Sequence, residues 1–123
     1  MKINSHKELI VWQKSMALAK EIYHATNGFP KSEIFGLTSQ MRRAAIAVPS
    51  NIAEGFWRKN IKEYRRFLRI AFASLEELET QLILSDEFGY TNEADTKRIS
   101  SLLEEIEKML NKIISNLSRQ ILK

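Results

Sequence analysis

The stretch that decides the fold is Gly36–Arg69, which reads GLTSQMRRAAIAVPSNIAEGFWRKNIKEYRRFLR. In its first part apolar side chains recur every three or four residues, as at Met41, Val48 and Ile52, which is typical of a helix with one buried face. Pro49 falls inside this pattern, where it has no N–H for the carbonyl four residues earlier and its ring crowds the preceding turn. Because the apolar stripe stays in phase across Pro49, we predict one kinked helix rather than two helices.

Helix one precedes this stretch and is predicted over about residues 6–26. Residues 27–28, Asn-Gly, end it, because both residue types tolerate the left-handed conformation that closes a helix. Helix two is expected to begin near Ser32 or Glu33 and to end at Gly55. The predicted buried stripe of helix one comprises Leu9, Trp12, Met16, Ala19 and Tyr23, and that of helix two comprises Leu37, Met41, Ala44 or Ala45, Val48 and Ile52.

Helix three follows and is predicted to begin at Asn60. Asn60 can accept a hydrogen bond from the N–H of Glu63, whose carboxylate can bond back to complete a capping box. Gly89 is expected to end this helix, and helix four is expected to begin at Thr91 or Asn92. The predicted buried stripes are Tyr64, Leu68, Ala71, Leu75, Leu78 and Leu82 in helix three, and Ile99, Leu102, Ile106, Met109, Ile113 and Leu117 in helix four. A second, adjacent stripe of helix four comprises Leu103, Leu110, Ile114 and Ile121.

These four amphipathic segments and their short connections predict an all-α fold. We expect a left-handed, antiparallel up-down-up-down four-helix bundle forming a single domain over residues 1–123. The chain has no cysteine, no N-terminal apolar segment of the kind found in signal peptides, and no apolar run long enough to cross a bilayer. We therefore expect a cytoplasmic protein with no membrane partner.

The residues that commonly carry catalysis or bind metal are few and scattered. Glu21 and His24 form one Glu-x-x-His on helix one, whereas a di-iron bundle needs a second such motif and further carboxylates. No cysteine or paired-histidine spacing suits zinc, and no glycine-rich phosphate loop is present. The acidic residues Glu76, Glu77 and Glu79 are interpreted as the solvated face of helix three. We predict no catalytic residue, no metal site, no cofactor and no enzymatic activity.

Helix two carries a polar set among the small residues of its segment AAIAVPSNIAEG. Small side chains allow another backbone to approach closely, whereas Ser50 and Asn51 can also satisfy the carbonyls that Pro49 frees. A structural role and a binding role therefore both stay open for this set, which comprises Gln40, Arg42, Arg43, Ser50, Asn51 and Glu54.

The basic run at the start of helix three is the best candidate for a functional site. On a helix, Lys62, Arg65, Arg66 and Arg69 share one side, and Arg58 and Lys59 come just before it. Cations at the start of a helix oppose its macrodipole, so the stability of this helix does not explain them. Helix four is expected to place its own basic end, with Arg119 and Lys123, at the same end of the bundle.

Three interpretations of this charge are open. It can bind phosphates, with the nearby Phe56, Trp57, Tyr64 and Phe67 stacking on bases; it can pair with acids of a protein partner or neighbouring subunit; or it is a solvated face. The first is our prediction, with RNA or DNA as the partner. The predicted nucleic-acid-binding residues are Arg42, Arg43, Arg58, Lys59, Lys62, Arg65, Arg66 and Arg69.

Apolar residues outside the predicted stripes suggest a second buried face. They are Val11, Leu18 and Ile22 in helix one, and Phe67, Ile70, Phe72, Ile83 and Leu84 in helix three. A surface helix of a monomer usually keeps one apolar face, so this excess predicts a homo-oligomer. The other explanation is a wide stripe with a few exposed apolar side chains, which any protein surface carries.

The sequence resembles a family of small bacterial four helix bundle proteins, first noticed as products of intervening sequences within genes for 23S ribosomal RNA. The matching segments are GLTSQMRRAA at residues 36–45, VPSNIAEG at residues 48–55 and SLEELETQL at residues 74–82. Ala47 departs from the family pattern, in which serine is common, and Phe56-Trp57 is bulky after the glycine. The resemblance covers nearly the whole chain.

This resemblance implies a left-handed up-and-down bundle that assembles as a homopentamer and has no known enzymatic activity. The family is similar to the accessory protein of diversity-generating retroelements, a basic pentamer that works with a reverse transcriptase and nucleic acid. We therefore predict a non-enzymatic, homo-oligomeric protein that binds nucleic acid, with RNA favoured, through its basic surface. The alternative is a protein-interaction scaffold that makes no direct contact with nucleic acid.

Overall fold

The computed structural model describes residues 2–122, and all of its regular structure is helical. Within these residues the chain forms four α-helices: α1 (Ile10–Thr26), α2 (Leu37–Phe56), α3 (Ile61–Glu87) and α4 (Glu93–Leu122). Short 3-10 turns at His6–Glu8 and Lys31–Glu33 precede α1 and α2. The predicted all-α fold with four helices is confirmed. Within residues 2–122, no helix combines the length and the apolar character needed to cross a membrane.

The helices pack around one core, each against its neighbours in sequence, and α1 also packs against α4. Side-chain contacts join the ends of neighbouring helices. Thr26 of α1 meets Arg42 of α2, and Ser85 of α3 meets Met41 of α2. These contacts agree with the predicted up-down-up-down order; both that order and its handedness stay predictions.

Helix α2 is continuous across Pro49, which is buried, as the unbroken apolar stripe predicts. Its start was predicted too early, because Lys31–Glu33 forms a separate 3-10 turn and α2 begins at Leu37. The Glu33 carboxylate accepts a hydrogen bond from the Leu37 N–H at 3.1 Å, so it serves as a remote cap. A bend at Pro49 stays a prediction.

The buried face of α1 differs from the predicted one. The buried side chains include Val11, Ser15, Leu18, Ile22 and Ala25, whereas Tyr23 of the predicted stripe is exposed and Trp12, Met16 and Ala19 are half-buried. Ser15 can occupy this face because its hydroxyl donates to the Val11 carbonyl at 2.7 Å. The residues interpreted as extra apolar surface on helix one are therefore part of the core of the monomer.

Helices α3 and α4 begin and end close to the predicted residues. The Asn60 side chain accepts from the Glu63 N–H at 2.8 Å, and Asn92 accepts likewise from the Asp95 N–H at 2.7 Å. The Glu63 carboxylate does not complete a capping box, since it binds the Arg66 guanidinium instead. Gly89 follows α3 with a φ of 77°, the left-handed conformation that favours glycine.

Candidate nucleic-acid interface

A group of positive side chains without acidic partners lies along the first half of α3. Lys59 precedes the helix, and Lys62 and Arg69 are exposed on its outer side. Arg65 is half-buried and donates to the Ser118 hydroxyl at 3.1 Å, which leaves its charge uncompensated. Within residues 2–122 none of these four forms an ion pair. We call Lys59, Lys62, Arg65 and Arg69 the basic strip.

Two arginines predicted in the same site are engaged by nearby acids. Arg58 pairs with Glu54 at 2.9 Å and Arg66 pairs with Glu63 at 2.8 Å. The hydrogen bond from Arg66 lowers the pKa of the Glu63 carboxyl, so this carboxylate stays charged. The charges of both arginines are therefore largely balanced, and they add less to the local positive field than the basic strip does.

Both of these arginines also cover an aromatic ring. The guanidinium carbons of Arg58 and Arg66 lie 4.6 Å and 4.5 Å from the centre of the Phe67 ring, which is 7% exposed. Phe67 was predicted to be available to stack on a base, and this is wrong because guanidinium groups already cover it. Tyr64 is half-buried, and burial raises the pKa of its hydroxyl.

Among the aromatic residues predicted to stack on bases, Trp57 is the most exposed, with 60% of its surface accessible. Its indole N–H donates to His6 Nδ1 at 2.9 Å, which orients the ring at the end of α2. Phe56, another member, packs edge-on against both Trp57 and Tyr64. Any base stacking near the basic strip would therefore use the Trp57 face.

The pair Arg42 and Arg43 divides between two sides of α2. Arg42 is half-buried, donates to Thr26 Oγ1 at 2.8 Å and Asn27 Oδ1 at 3.0 Å, and lies over the Tyr23 ring. These contacts give Arg42 a structural role in joining α1 to α2. Arg43 is exposed and faces the groove between α2 and α3, apart from the basic strip.

That groove is a polar cleft of about 350 Å³. Gln40, Arg43, Ala44 and Ala47 line it from α2, and Ser74 and Glu77 line it from α3. The small side chains of the two alanines leave an open space between the helices, and Arg43 and Glu77 lie at its sides. Part of the polar set of α2 therefore lines a cavity, and Glu77 is exposed, as predicted, at the α3 side of this polar cleft.

The end of α4 adds to the positive end of the molecule. Ser118 contacts Arg65, and Ile121 lies in one hollow with Lys59 and Lys62. Arg119 is exposed in the last turn of α4. The predicted meeting of two basic helix ends is therefore observed for these residues, while Lys123 lies outside the described residues.

A second charged feature, a cluster of three carboxylates, lies between α3 and α4. Oxygens of Glu76, Glu79 and Glu107 lie within 4.8 Å of one another, and all three side chains are half-buried. Burial raises the pKa of Glu107 to about 7, and the neighbouring Glu76 carboxylate is the second cause of this increase. Glu76 and Glu79 were interpreted as solvated, and this is wrong because both face α4. The carboxylate cluster can share a proton, and oxygen ligands of this kind also suit hard divalent cations.

Two apolar surfaces lie away from the charged features. An apolar groove of about 380 Å³ separates α1 from α2, and Trp12, Met16, Ala19, Ile46, Pro49 and Ala53 line most of it. The other surface, which we call the apolar end, comprises Ile34, Phe35 and Phe88 in the connections at the end of the bundle away from the basic strip. Phe35 is 95% exposed there.

These observations define a helical-bundle protein with uncompensated positive charge at one end. The family model described as 23S rRNA-intervening sequence protein matches residues 7–112, so the chain belongs to this family. The predicted family membership is confirmed. A comparison with curated proteins gave no match.

A solved structure is similar over most of both chains. It is a crystal structure of a protein with unknown function from the S23 ribosomal protein family of Bacteroides thetaiotaomicron VPI-5482. The two chains share 25% identity with a TM-score of 0.77, covering 85% of this chain and 98% of the other. Neither the family description nor the description of this structure names a reaction.

Proposed function

We propose that this protein is a non-enzymatic, homo-oligomeric RNA-binding protein of the cytoplasm that contacts its ligand through the basic strip. The observation that carries this proposal is a set of four cations on the first half of α3 and just before it, none of which has an acidic partner among residues 2–122: Lys59, Lys62, Arg65 and Arg69. Each uncompensated cation that meets a phosphate releases a condensed counterion, which is the main source of sequence-independent affinity for nucleic acid.

The local structure favours anions at the same place. The N-terminus of α3 carries the partial positive charge of a 27-residue helix, and it adds to the charges of Lys59 and Lys62. Placing these cations there costs the isolated helix stability, and a bound phosphate would relieve that cost. RNA is favoured over DNA because the description of the family refers to an intervening sequence of 23S rRNA.

Assembly of several copies would repeat the basic strip and raise affinity by multivalency. The half-buried side of α1, which includes Trp12 and Met16, and the exposed Ile46 of α2 supply an apolar groove suited to contact another copy. The resemblance implies a pentamer, in which five basic strips would act together.

Charge reversal with a charge-matched control tests this function. The variant Lys62→Glu/Arg69→Glu alters the basic strip, whereas Lys97→Glu/Lys108→Glu alters two exposed lysines that already pair with Glu93 and Glu104. Fluorescence anisotropy with a labelled single-stranded RNA is expected to show at least a roughly tenfold weaker affinity for the first variant and little change for the second.

The salt dependence of the same titration provides a second measurement. For every phosphate that the variant no longer binds, the slope of log affinity against log salt is expected to become shallower by roughly 0.7. Negligible RNA binding by the wild-type protein at low salt, or an equal weakening in both variants, would contradict the proposal. Circular dichroism melts establish that both variants remain folded.

The alternative function is a protein-interaction scaffold, and the apolar end favours it. Phe35 is 95% exposed and Phe88 57% exposed, which is unusual for aromatic side chains without a partner. A pull-down from native cells, with and without nuclease, separates the two functions. Partners retained after nuclease treatment but absent with Phe35→Ser would favour the scaffold.

A further inference from the structure

The polar cleft between α2 and α3 holds two opposite charges that do not meet. Arg43 stands on the α2 side and Glu77 on the α3 side, and within residues 2–122 neither takes part in an ion pair. Both side chains are exposed, so a ligand that enters the polar cleft can contact them. Here Ala44 and Ala47 leave a space of about 350 Å³ between the helices, which is large enough for one nucleobase.

A buried acceptor without a partner lies on the same side of α3. Gln81 is only 6% exposed, and its Nε2 donates to Glu77 Oε1 at 3.3 Å. Its Oε1 is buried and has no hydrogen-bond partner among residues 2–122. Gln81 follows Ser74 by seven residues and Glu77 by four, so all three belong to the α3 surface that faces α2. Gln81 does not itself line the polar cleft; its hydrogen bond helps to hold the Glu77 carboxylate, which does.

The donors and acceptors of the polar cleft match one base particularly well. Guanine presents two acceptors, O6 and N7, which a guanidinium contacts with two parallel hydrogen bonds. On its adjoining edge it presents two donors, N1–H and the N2 amino group, which a carboxylate can accept together. Cytosine and adenine offer a carboxylate only one donor group on these edges.

We propose that the polar cleft receives an unpaired guanine of an RNA held by the basic strip, with Arg43 donating to O6 and N7 and Glu77 accepting from N1–H and N2–H. This inference rests on the proposed RNA binding. Glu77 lies eight residues beyond Arg69, or about 12 Å along the helix axis, so a strand that leaves the basic strip reaches the cleft within a few nucleotides. The basic strip supplies affinity for the RNA backbone, and the polar cleft supplies a preference for guanine.

Two short RNAs test the preference: oligouridine and the same oligouridine with one central guanosine. The wild-type protein is expected to bind the guanosine-containing RNA roughly tenfold more tightly. In Glu77→Gln the ratio of the two affinities is expected to fall several-fold, because only the Arg43 contacts to guanine remain, although removal of an acid can strengthen binding of both RNAs. The control Glu87→Gln removes an exposed acid at the end of the same helix and is expected to keep the wild-type ratio.

Modified bases test separately the contact of Glu77 with the N2 amino group and the contact of Arg43 with N7. Inosine lacks the N2 amino group and is expected to abolish most of the preference in wild type but to change nothing further in Glu77→Gln. Replacing guanosine with 7-deazaguanosine removes N7 and is expected to weaken binding by wild type but not by Arg43→Gln. Thermal melts of each variant establish that the bundle is intact.

The outcomes separate this inference from the function on which it rests. Equal, salt-dependent binding of both RNAs by wild type would overturn the guanine site and leave the basic strip as an RNA-binding surface. A preference that is unchanged in Glu77→Gln would overturn it as well. Absence of binding to either RNA at low salt would contradict both proposals.

Discussion

At the residue scale, whether a positive charge of the basic run is balanced by an acid depends on the residue's immediate neighbours more than on its place in the run. Arg58 and Arg66 each have an acid four or three residues earlier, and they share the Phe67 ring. Lys62 and Arg69 have no such acid and keep their full charge. The i−3 and i−4 positions of each basic residue therefore indicate which cations are free to bind a ligand.

Gly55 tests how closely α2 and α3 approach. A Cβ atom added to Gly55 would lie 2.7 Å from the Phe67 Cβ, so Gly55→Ala is expected to destabilise the fold by about 1–3 kcal/mol through overpacking. Gly28→Ala is the control, because its Cβ would have ordinary contact at 3.7 Å from the Ala25 carbonyl oxygen. Urea unfolding followed by circular dichroism measures both, and equal stabilities would show that the helices separate without cost.

The carboxylate cluster predicts a pH dependence of stability. The pKa of Glu107 is raised from 4.5 to about 7 in the folded protein, so the folded state keeps a proton that the unfolded chain releases near pH 4.5. The contribution of Glu107 to the free energy of unfolding is therefore expected to be fully present below pH 4.5 and to decline as the pH rises through about 7.

Glu107→Gln removes this decline. At pH 8 it is expected to stabilise the protein by about 1 kcal/mol, a figure reduced for screening by solvent at this half-buried site. At about pH 5 the variant and wild type are expected to melt at similar temperatures. Glu87→Gln, at an exposed position, is the control, and a wild-type stability that rises steadily from about pH 5 to pH 8 would contradict the prediction.

At the element scale, the helix ends depend on a few polar side chains. Glu33 is the most connected of these, since its Oε1 accepts from the Leu37 N–H and its Oε2 accepts from the Tyr90 hydroxyl at 3.0 Å. The bond to Glu33 raises the pKa of the Tyr90 hydroxyl. One carboxylate thus joins the start of α2 to the connection between α3 and α4.

Removal of the Glu33 carboxylate is expected to cost more than removal of one of its partners. Glu33→Ala removes both hydrogen bonds and is expected to destabilise by about 1–2 kcal/mol, whereas Tyr90→Phe removes only the hydroxyl bond and is expected to destabilise less. Chemical denaturation of the two variants and wild type measures the order. A Tyr90→Phe variant less stable than Glu33→Ala would show that the cap on α2 contributes little.

The sequence predicts the four helices and most of their limits, but it does not determine which side of α1 is buried. Helix α1 has two apolar stripes, and both recur at helical spacing. The buried one is hard to recognise from the sequence because it contains the polar residue Ser15. Ser15 can be buried since its hydroxyl bonds to a carbonyl of its own helix. The stripes of α2 and α3 have no such competitor, so most of their core residues were predicted correctly.

The same distinction applies to the candidate sites. The pairing of Arg66 with Glu63 follows from local spacing and was predictable in principle. The proximity of Glu107 to Glu76 was not, because it depends on how α3 and α4 are aligned, and residues so far apart in the chain give no local signal. The small residues of α2 indicated a close approach of another backbone, but the polar cleft was not predicted, because its α3 side, with Ser74 and Glu77, depends on how the helices pack.

At the scale of the whole molecule, positive charge and exposed apolar surface occupy different places. The basic strip lies at one end, Phe35 lies at the other, and the apolar groove runs between α1 and α2. A molecule with this division can bind an anion at one surface while it contacts other copies at another. Oligomerisation and RNA binding should therefore be separable by mutation.

Ile46→Glu tests this separation. Ile46 is 45% exposed in the apolar groove, and a charge there is expected to convert the assembly, about five times 14.3 kDa, into monomers in light scattering. Phe35→Ser, at the far end, is the control and is expected to leave the mass unchanged. RNA binding by Ile46→Glu is expected to weaken because multivalency is removed, while its dependence on the basic strip persists. If light scattering shows that the wild-type protein is a monomer at micromolar concentration, the proposed homo-oligomer is contradicted.

The packing of α1 against α4 has a kinetic consequence. The other three helix pairs join neighbours in sequence, so their contacts close short loops and can form early. The α1–α4 seam, with the ion pairs of Lys14 with Glu105 and Arg98 with Glu21, joins the two ends of the chain and must wait until α4 has left the ribosome. Closure of this seam is therefore expected to be the last step of packing during synthesis, because it joins the first and the last of the four helices.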